Sequence, residues 1–140
     1  MSTEENKALM RHYLEASVSP DRAAFKELMA PDFVAHIPSG PANREAYVQH
    51  NYGYVSAFSD RQFEVDDLVA EGDKVVARAT WRGTHTGDFM GLAPTGKQLA
   101  VGAVITERFR DGKAVEHWSL FDSLGMMQQL GLVPPPQPAR

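Results

Sequence analysis

RFRDGKAVEHWSLFDSLGMMQQLG, residues Arg108 to Gly131, contains a hairpin, a strand and a helix in one stretch. Asp111-Gly112 between two β-rich runs signals a two-residue turn, because both central positions of such a turn need positive φ. Leu99 to Phe109 is the strand entering that turn and Ala114 to Asp122 the strand leaving it. Ser123 to Leu130 then reads as a short helix, ended by Gly131.

Upstream of this hairpin the period-two pattern continues. Phe63, Val65 and Leu68-Val69 mark one strand, Glu71-Gly72-Asp73 a turn, and Val75 to Thr86 the next strand. Gly87 to Gly96 forms a loop with Pro94 inside it. Before Ser59-Asp60 the period is helical. Residues 4–17 carry Leu9, Met10, Tyr13 and Leu14 at helical spacing, with Val18 next in the same phase, and Asp21 caps a short second helix holding Phe25, Leu28 and Met29. Phe33 to Ile37 is a short strand closed by Pro38-Ser39-Gly40-Pro41. Asn43 caps a third helix carrying Tyr47, Val48, Asn51, Tyr54, Val55 and Phe58.

Helices first and strands after them argue for an α+β fold. The expectation is a cone-shaped, curved antiparallel sheet with the N-terminal helices enclosing a pocket, a natural place for a small molecule. The 140 residues suit a single domain over residues 1–133, with a Pro-rich tail over 134–140. Cysteine is absent, which excludes disulfides and thiolate chemistry. Net charge is −4 with no basic run, so no nucleic-acid partner is expected. No apolar run approaches the roughly 18 residues of a membrane span, and the N-terminus lacks signal-peptide character. A cytoplasmic protein without membrane contact is expected.

Asp122 ends the last strand at the start of the last helix. Alternation puts Glu116, Trp118, Leu120 and Asp122 on one face and Val115, His117, Ser119 and Phe121 on the other. With regular pairing from Asp111-Gly112, Ile105 lies opposite Trp118 and Val101 opposite Asp122. Asp122 then stands on an apolar floor, where desolvation raises a carboxyl pKa toward the range useful for proton transfer. A bulge near the turn reverses that register. The same residue is a favoured helix N-cap, so spacing leaves both readings open.

GTHTGDFMGLAPTGK (Gly83–Lys97), the stretch Arg108–Asp122, the closing QQLG (Gln128–Gly131) and DFVAHIPSG (Asp32–Gly40) together resemble the SnoaL-like polyketide cyclases. These belong to the nuclear-transport-factor-like superfamily that also holds ketosteroid isomerase. The resemblance spans nearly the whole chain. It implies a cone-shaped α+β barrel, a homodimer or higher homo-oligomer, no cofactor, and ring closure by intramolecular aldol condensation. It also implies that Asp122 is the acid–base residue and that His36 faces the cavity and orients a substrate carbonyl.

Other polar residues divide between functional and structural readings. His36 in its apolar strand is either that pocket donor or a core histidine with one hydrogen bond. His85 is either at the pocket rim or a turn residue. His117, opposite Trp118 and Asp122, is assigned to packing or subunit contact. Arg78 and Arg82 read as a solvated sheet face, with enolate stabilisation as the alternative. The histidines lack metal-site spacing, so no metal is expected. The glycines from Gly83 to Gly96 lack the order of a phosphate loop; they suit a flap whose Phe89, Met90 and Leu92 cover the cone mouth.

The leading expectation is therefore a cofactor-independent cyclase with Asp122 and His36 as catalytic residues. Trp118, Tyr47, Asn51, Tyr54, Phe58, His85, Phe89 and Ile105 would line a site for an apolar, polycyclic small molecule. Two alternatives stand beside it: an isomerase or epoxide hydrolase on the same cone, or a non-catalytic binding module. The last requires Asp122 to be spent on capping and the cone to be filled by side chains.

Overall fold

In the computed structural model, which describes residues 1–135, local caps start the helices. Ser2 and Glu5 form a reciprocal capping box on α1 (Thr3–Ser17). Asp21 caps α2 (Arg22–Glu27), and Asn43 caps α3 (Arg44–Ala57) through a 2.9 Å bond from the Ala46 N–H. Gly53 does not interrupt α3. Asp122 caps α4 (Ser123–Leu130), and Gly131 ends it at φ 80°.

The strands are β1 (Met29–Ile37), β2 (Gly40–Asn43), β3 (Gln62–Glu71), β4 (Lys74–Thr84), β5 (Gln98–Arg110) and β6 (Lys113–Phe121). They form one sheet in the order β2-β1-β6-β5-β4-β3. All neighbours are antiparallel except β1 and β6, which run parallel, so the sheet is mixed rather than wholly antiparallel. Segment Gly40–Asn43, read from sequence as a turn and a cap, is the short edge strand β2. Pro31 lies inside β1, where the pairing with β6 is irregular between Met29 and Val34, a position that tolerates a missing N–H.

One face of the sheet carries the helices. Met10, Tyr13 and Leu14 of α1, Phe25 of α2 and Tyr47 and Val48 of α3 pack with Val75, Ala77, Ile105 and Phe109. A second core gathers Phe58, Trp81, Phe89, Leu99, Met126 and Leu130. The opposite face leaves Val76, Val104 and Leu120 exposed.

Two bulges decide which side chains face the helices. In β3 the register slips between Val65 and Asp67. In β6 it slips after the turn: Phe109 pairs with Ala114, but Arg108 pairs with Glu116, leaving Val115 extra. The Asp111-Gly112 turn is as the sequence predicts, with φ of 52° and 79°. The inserted Val115 reverses the expected faces beyond it. Ile105 pairs with Ser119, Thr106 with Trp118 and Ala103 with Phe121. His117, Ser119 and Phe121 point to the helices, whereas Trp118 and Asp122 do not.

Candidate functional site

Buried positions in β5 alternate through Leu99, Val101, Ala103, Ile105, Glu107 and Phe109. A carboxylate thus occupies an apolar-phase position, and Glu107 is 0% exposed. The bulge in β6 sets His117 directly across from it. Glu107 Oε1 and His117 Nδ1 are in hydrogen-bond contact. Tyr13 from α1 brings its hydroxyl to 3.2 Å from Nδ1, and Tyr47 from α3 brings its own to 3.1 Å from Nε2. Burial raises the Glu107 pKa, with His117 opposing the rise in part. Burial also raises both tyrosines, so they serve as hydroxyl groups and not as phenolates. Glu107 Oε2 has no hydrogen-bond partner among the described residues.

His117 stands on the wall of a small, partly open cavity of about 20 Å³, room for about one water molecule. From the helices, Tyr13, Leu14, Ser17, Tyr47 and Asn51 line it. From the sheet, Phe63, Ile105, Ser119 and Phe121 complete the wall, with Arg61 at the junction of α3 and β3. Asn51 is fixed at both ends: its Nδ2 donates to the Ser17 carbonyl at 2.7 Å, and its Oδ1 accepts from Arg61 Nη1 at 3.4 Å.

Of the residues predicted from sequence, Tyr47, Asn51 and Ile105 line this cavity. Tyr54, Phe58 and Phe89 sit together around Trp81 in the second core. His85 is fully buried, but as a staple of the glycine loop. Its Nδ1 accepts from the Thr95 N–H at 3.2 Å and lies 2.9 Å from the Thr95 hydroxyl. That loop folds back on α3: the Thr86 and Gly87 N–H groups donate to the Ala57 carbonyl, which buries Phe89 and leaves Met90 exposed.

Three predicted placements are corrected. Asp122 is exposed, and its Oδ1 accepts from the Gly125 N–H at 2.9 Å, so it caps α4 and does not point into the cavity. Trp118 lies on the opposite face because of the Val115 bulge, stacked on His36 at 5.1 Å between ring centroids. His36 is on that face too, its Nε2 2.7 Å from Glu116 Oε2, and Glu116 in turn meets Arg108. His117, assigned from sequence to packing or subunit contact, is an interior residue. Glu107, Tyr13 and Arg61 were missed. Glu107 carried a legible signal, the single charge in an otherwise apolar alternation; Arg61 sits between elements and carried none.

A small cavity of mixed polarity beside a buried carboxyl–imidazole pair is suited to moving protons with little bulk water present. Among the described residues no group of three or more His, Asp or Glu side chains is placed to hold a metal ion. No helix among them is long and apolar enough to cross a membrane.

The comparisons with known proteins agree with this architecture. The profile of the SnoaL-like polyketide cyclases matches residues 7–130, and the chain belongs to that family. Among solved structures it is similar to AclR from Streptomyces galilaeus, provisionally assigned as a hydroxylase. Identity is 34%, with 97% of this chain and 87% of that chain covered and a TM-score of 0.88. It is also similar to IdmH from Streptomyces antibioticus, provisionally assigned as a polyketide cyclase, with 34% identity, coverage of 90% and 98%, and a TM-score of 0.80. TsrD from Streptomyces laurentii follows at 29% identity, coverage of 95% and 99%, and a TM-score of 0.83. No protein of curated function matches the sequence.

Proposed function

We propose that this protein is a cofactor-independent enzyme that closes a ring in a small aromatic or polyketide substrate by an intramolecular aldol-type step. The acid–base centre in this reading is His117 backed by Glu107. The observation that carries it is a buried Glu–His pair, flanked by two tyrosine hydroxyls, whose His117 lines a small cavity. Burying a carboxyl with one unpartnered oxygen costs stability, which favours a functional role for the pair.

In the resting state Nδ1–H donates to the Glu107 carboxylate, and Nε2 accepts from the Tyr47 hydroxyl. Nε2 takes a proton from a carbon next to a carbonyl, and the C–H electron pair becomes an enolate. The enolate carbon attacks a second carbonyl of the same molecule, forming the C–C bond and moving the C=O pair to oxygen. The imidazolium returns its proton to that alkoxide, so no net proton is gained or lost. Glu107 balances the imidazolium charge, and Tyr47 polarises the carbonyl, the part first expected of His36. Holding both carbons in one chain supplies much of the acceleration.

A non-catalytic binding module is the second reading. Two observations favour it: the cavity is small as it stands, and Asp122 is occupied as a cap. Turnover separates the two. Aromatic polyketide esters with an acidic methylene and a ketone on one chain are incubated with the protein, and ring-closed isomers of unchanged mass are resolved by chromatography. His117→Asn is expected to lose about 10²–10⁴-fold in rate, with Asp122→Asn unchanged. Loss with Asp122→Asn but not with His117→Asn overturns the assignment, and no product from any ester favours the binding module.

A further inference from the structure

The guanidinium of Arg61 stands on the cavity wall, and the acid–base reading gives it no role. It is 3% exposed. The turn that ends α3 holds it in place, the Arg61 N–H donating to the Phe58 carbonyl at 2.9 Å. Its side chain makes one hydrogen bond among the described residues, the long 3.4 Å contact from Nη1 to Asn51. Nε is buried and has no acceptor among the described residues. The ring of Trp81, 4.9 Å from the guanidinium carbon, holds a second buried N–H without an acceptor among the described residues.

Buried cations are ordinarily paired with an anion. Here the groups that act on the Arg61 charge are burial and the Tyr47 and Tyr54 hydroxyls, none of them a carboxylate. Burial lowers its pKa only to about 10, so it is a cation at neutral pH. Tyr54, Phe63, Trp81 and Phe121 surround it at 4.9–5.8 Å. Those rings spread the positive charge over their faces but offer no in-plane acceptor for an N–H. A guanidinium edge with free N–H groups matches the two oxygens of a carboxylate.

We infer that Arg61 is the anchor of an anion subsite, which takes the carboxylate of an aromatic small molecule. The inference rests on the reading of the interior as a ligand site but needs no turnover. The aromatic body has a place to lie. A groove of about 370 Å³ between α1 and β3 shares Leu14 and Phe63 with the cavity wall, so those two side chains are the partition between groove and Arg61. Phe63 must turn aside for a carboxylate to meet the guanidinium while the rings stay in the groove.

The test titrates the full chain with 1-naphthoate and with 1-naphthamide, its neutral analogue, following the Arg61 Nε–Hε resonance and tryptophan fluorescence. Naphthoate is expected to shift that resonance and to bind at least tenfold more tightly than the amide. Arg61→Met is expected to erase the difference, and Arg61→Lys to keep part of it. If Arg61→Met does not fold, the wild-type resonance and the acid–amide ratio decide. Equal binding of acid and amide overturns the anion subsite while leaving the ligand cavity intact. Binding of neither overturns the ligand cavity, and the subsite with it.

Discussion

Glu107 holds a proton more readily in the folded chain than in the unfolded one, because burial penalises its charge. Its contribution to stability is therefore full below its ordinary value of 4.5 and is lost as pH rises through the higher folded value. Glu107→Gln removes that loss. Its Tm is expected to exceed wild type at pH 7 and to match it near pH 4, read by thermal scans across pH. The same variant loses the charge that supports the His117 imidazolium, so stability and activity are expected to move in opposite directions. Asp122 behaves differently. Asp122→Ala removes a cap worth about 0.5–2 kcal/mol, which denaturant titration measures, without moving a proton-transfer rate.

At the scale of elements, the glycine loop is tied to the end of α3. A Cβ on Gly87 would lie 2.3 Å from the Ser56 carbonyl oxygen, so Gly87→Ala is expected to cost about 1–3 kcal/mol in denaturant titration. The caps Asp21, Asn43 and Asp122 and the Asp111-Gly112 turn were legible in the sequence because each is local chemistry within a few residues. Helix α4 was legible over its full length for the same reason. The facing of β6 was not. It depends on an extra residue, Val115, whose place is set by pairing with β5 and leaves no mark in the alternation. That one slip carries Trp118 and Asp122 away from the cavity and brings His117 in. Edge strand β2 was hidden because Gly40-Pro41 has turn composition and pairs only with β1. The apolar phase of β5 did contain the candidate acid, at Glu107.

For the whole molecule, the helix-free face of the sheet raises the question of a second copy. Leu120, 76% exposed, pairs with Val104, 44% exposed, and Val76 lies on the same face. Such an apolar patch fits the homodimer that the family resemblance implies. Wild type is expected to run as a dimer in light scattering and Leu120→Glu as a monomer; a wild-type monomer contradicts this. The fold itself does not select the reaction, since relatives of 34% identity carry provisional assignments to a hydroxylase and to a polyketide cyclase. The chemistry proposed for this interior is proton transfer at carbon. The most direct measurement is the exchange of the α-hydrogens of 2-tetralone in D₂O, followed by NMR, with four proteins side by side. Wild type and Asp122→Asn are predicted to accelerate the exchange, and His117→Asn and Glu107→Gln to lose that acceleration. Exchange that survives in His117→Asn, or that vanishes in Asp122→Asn, would contradict it.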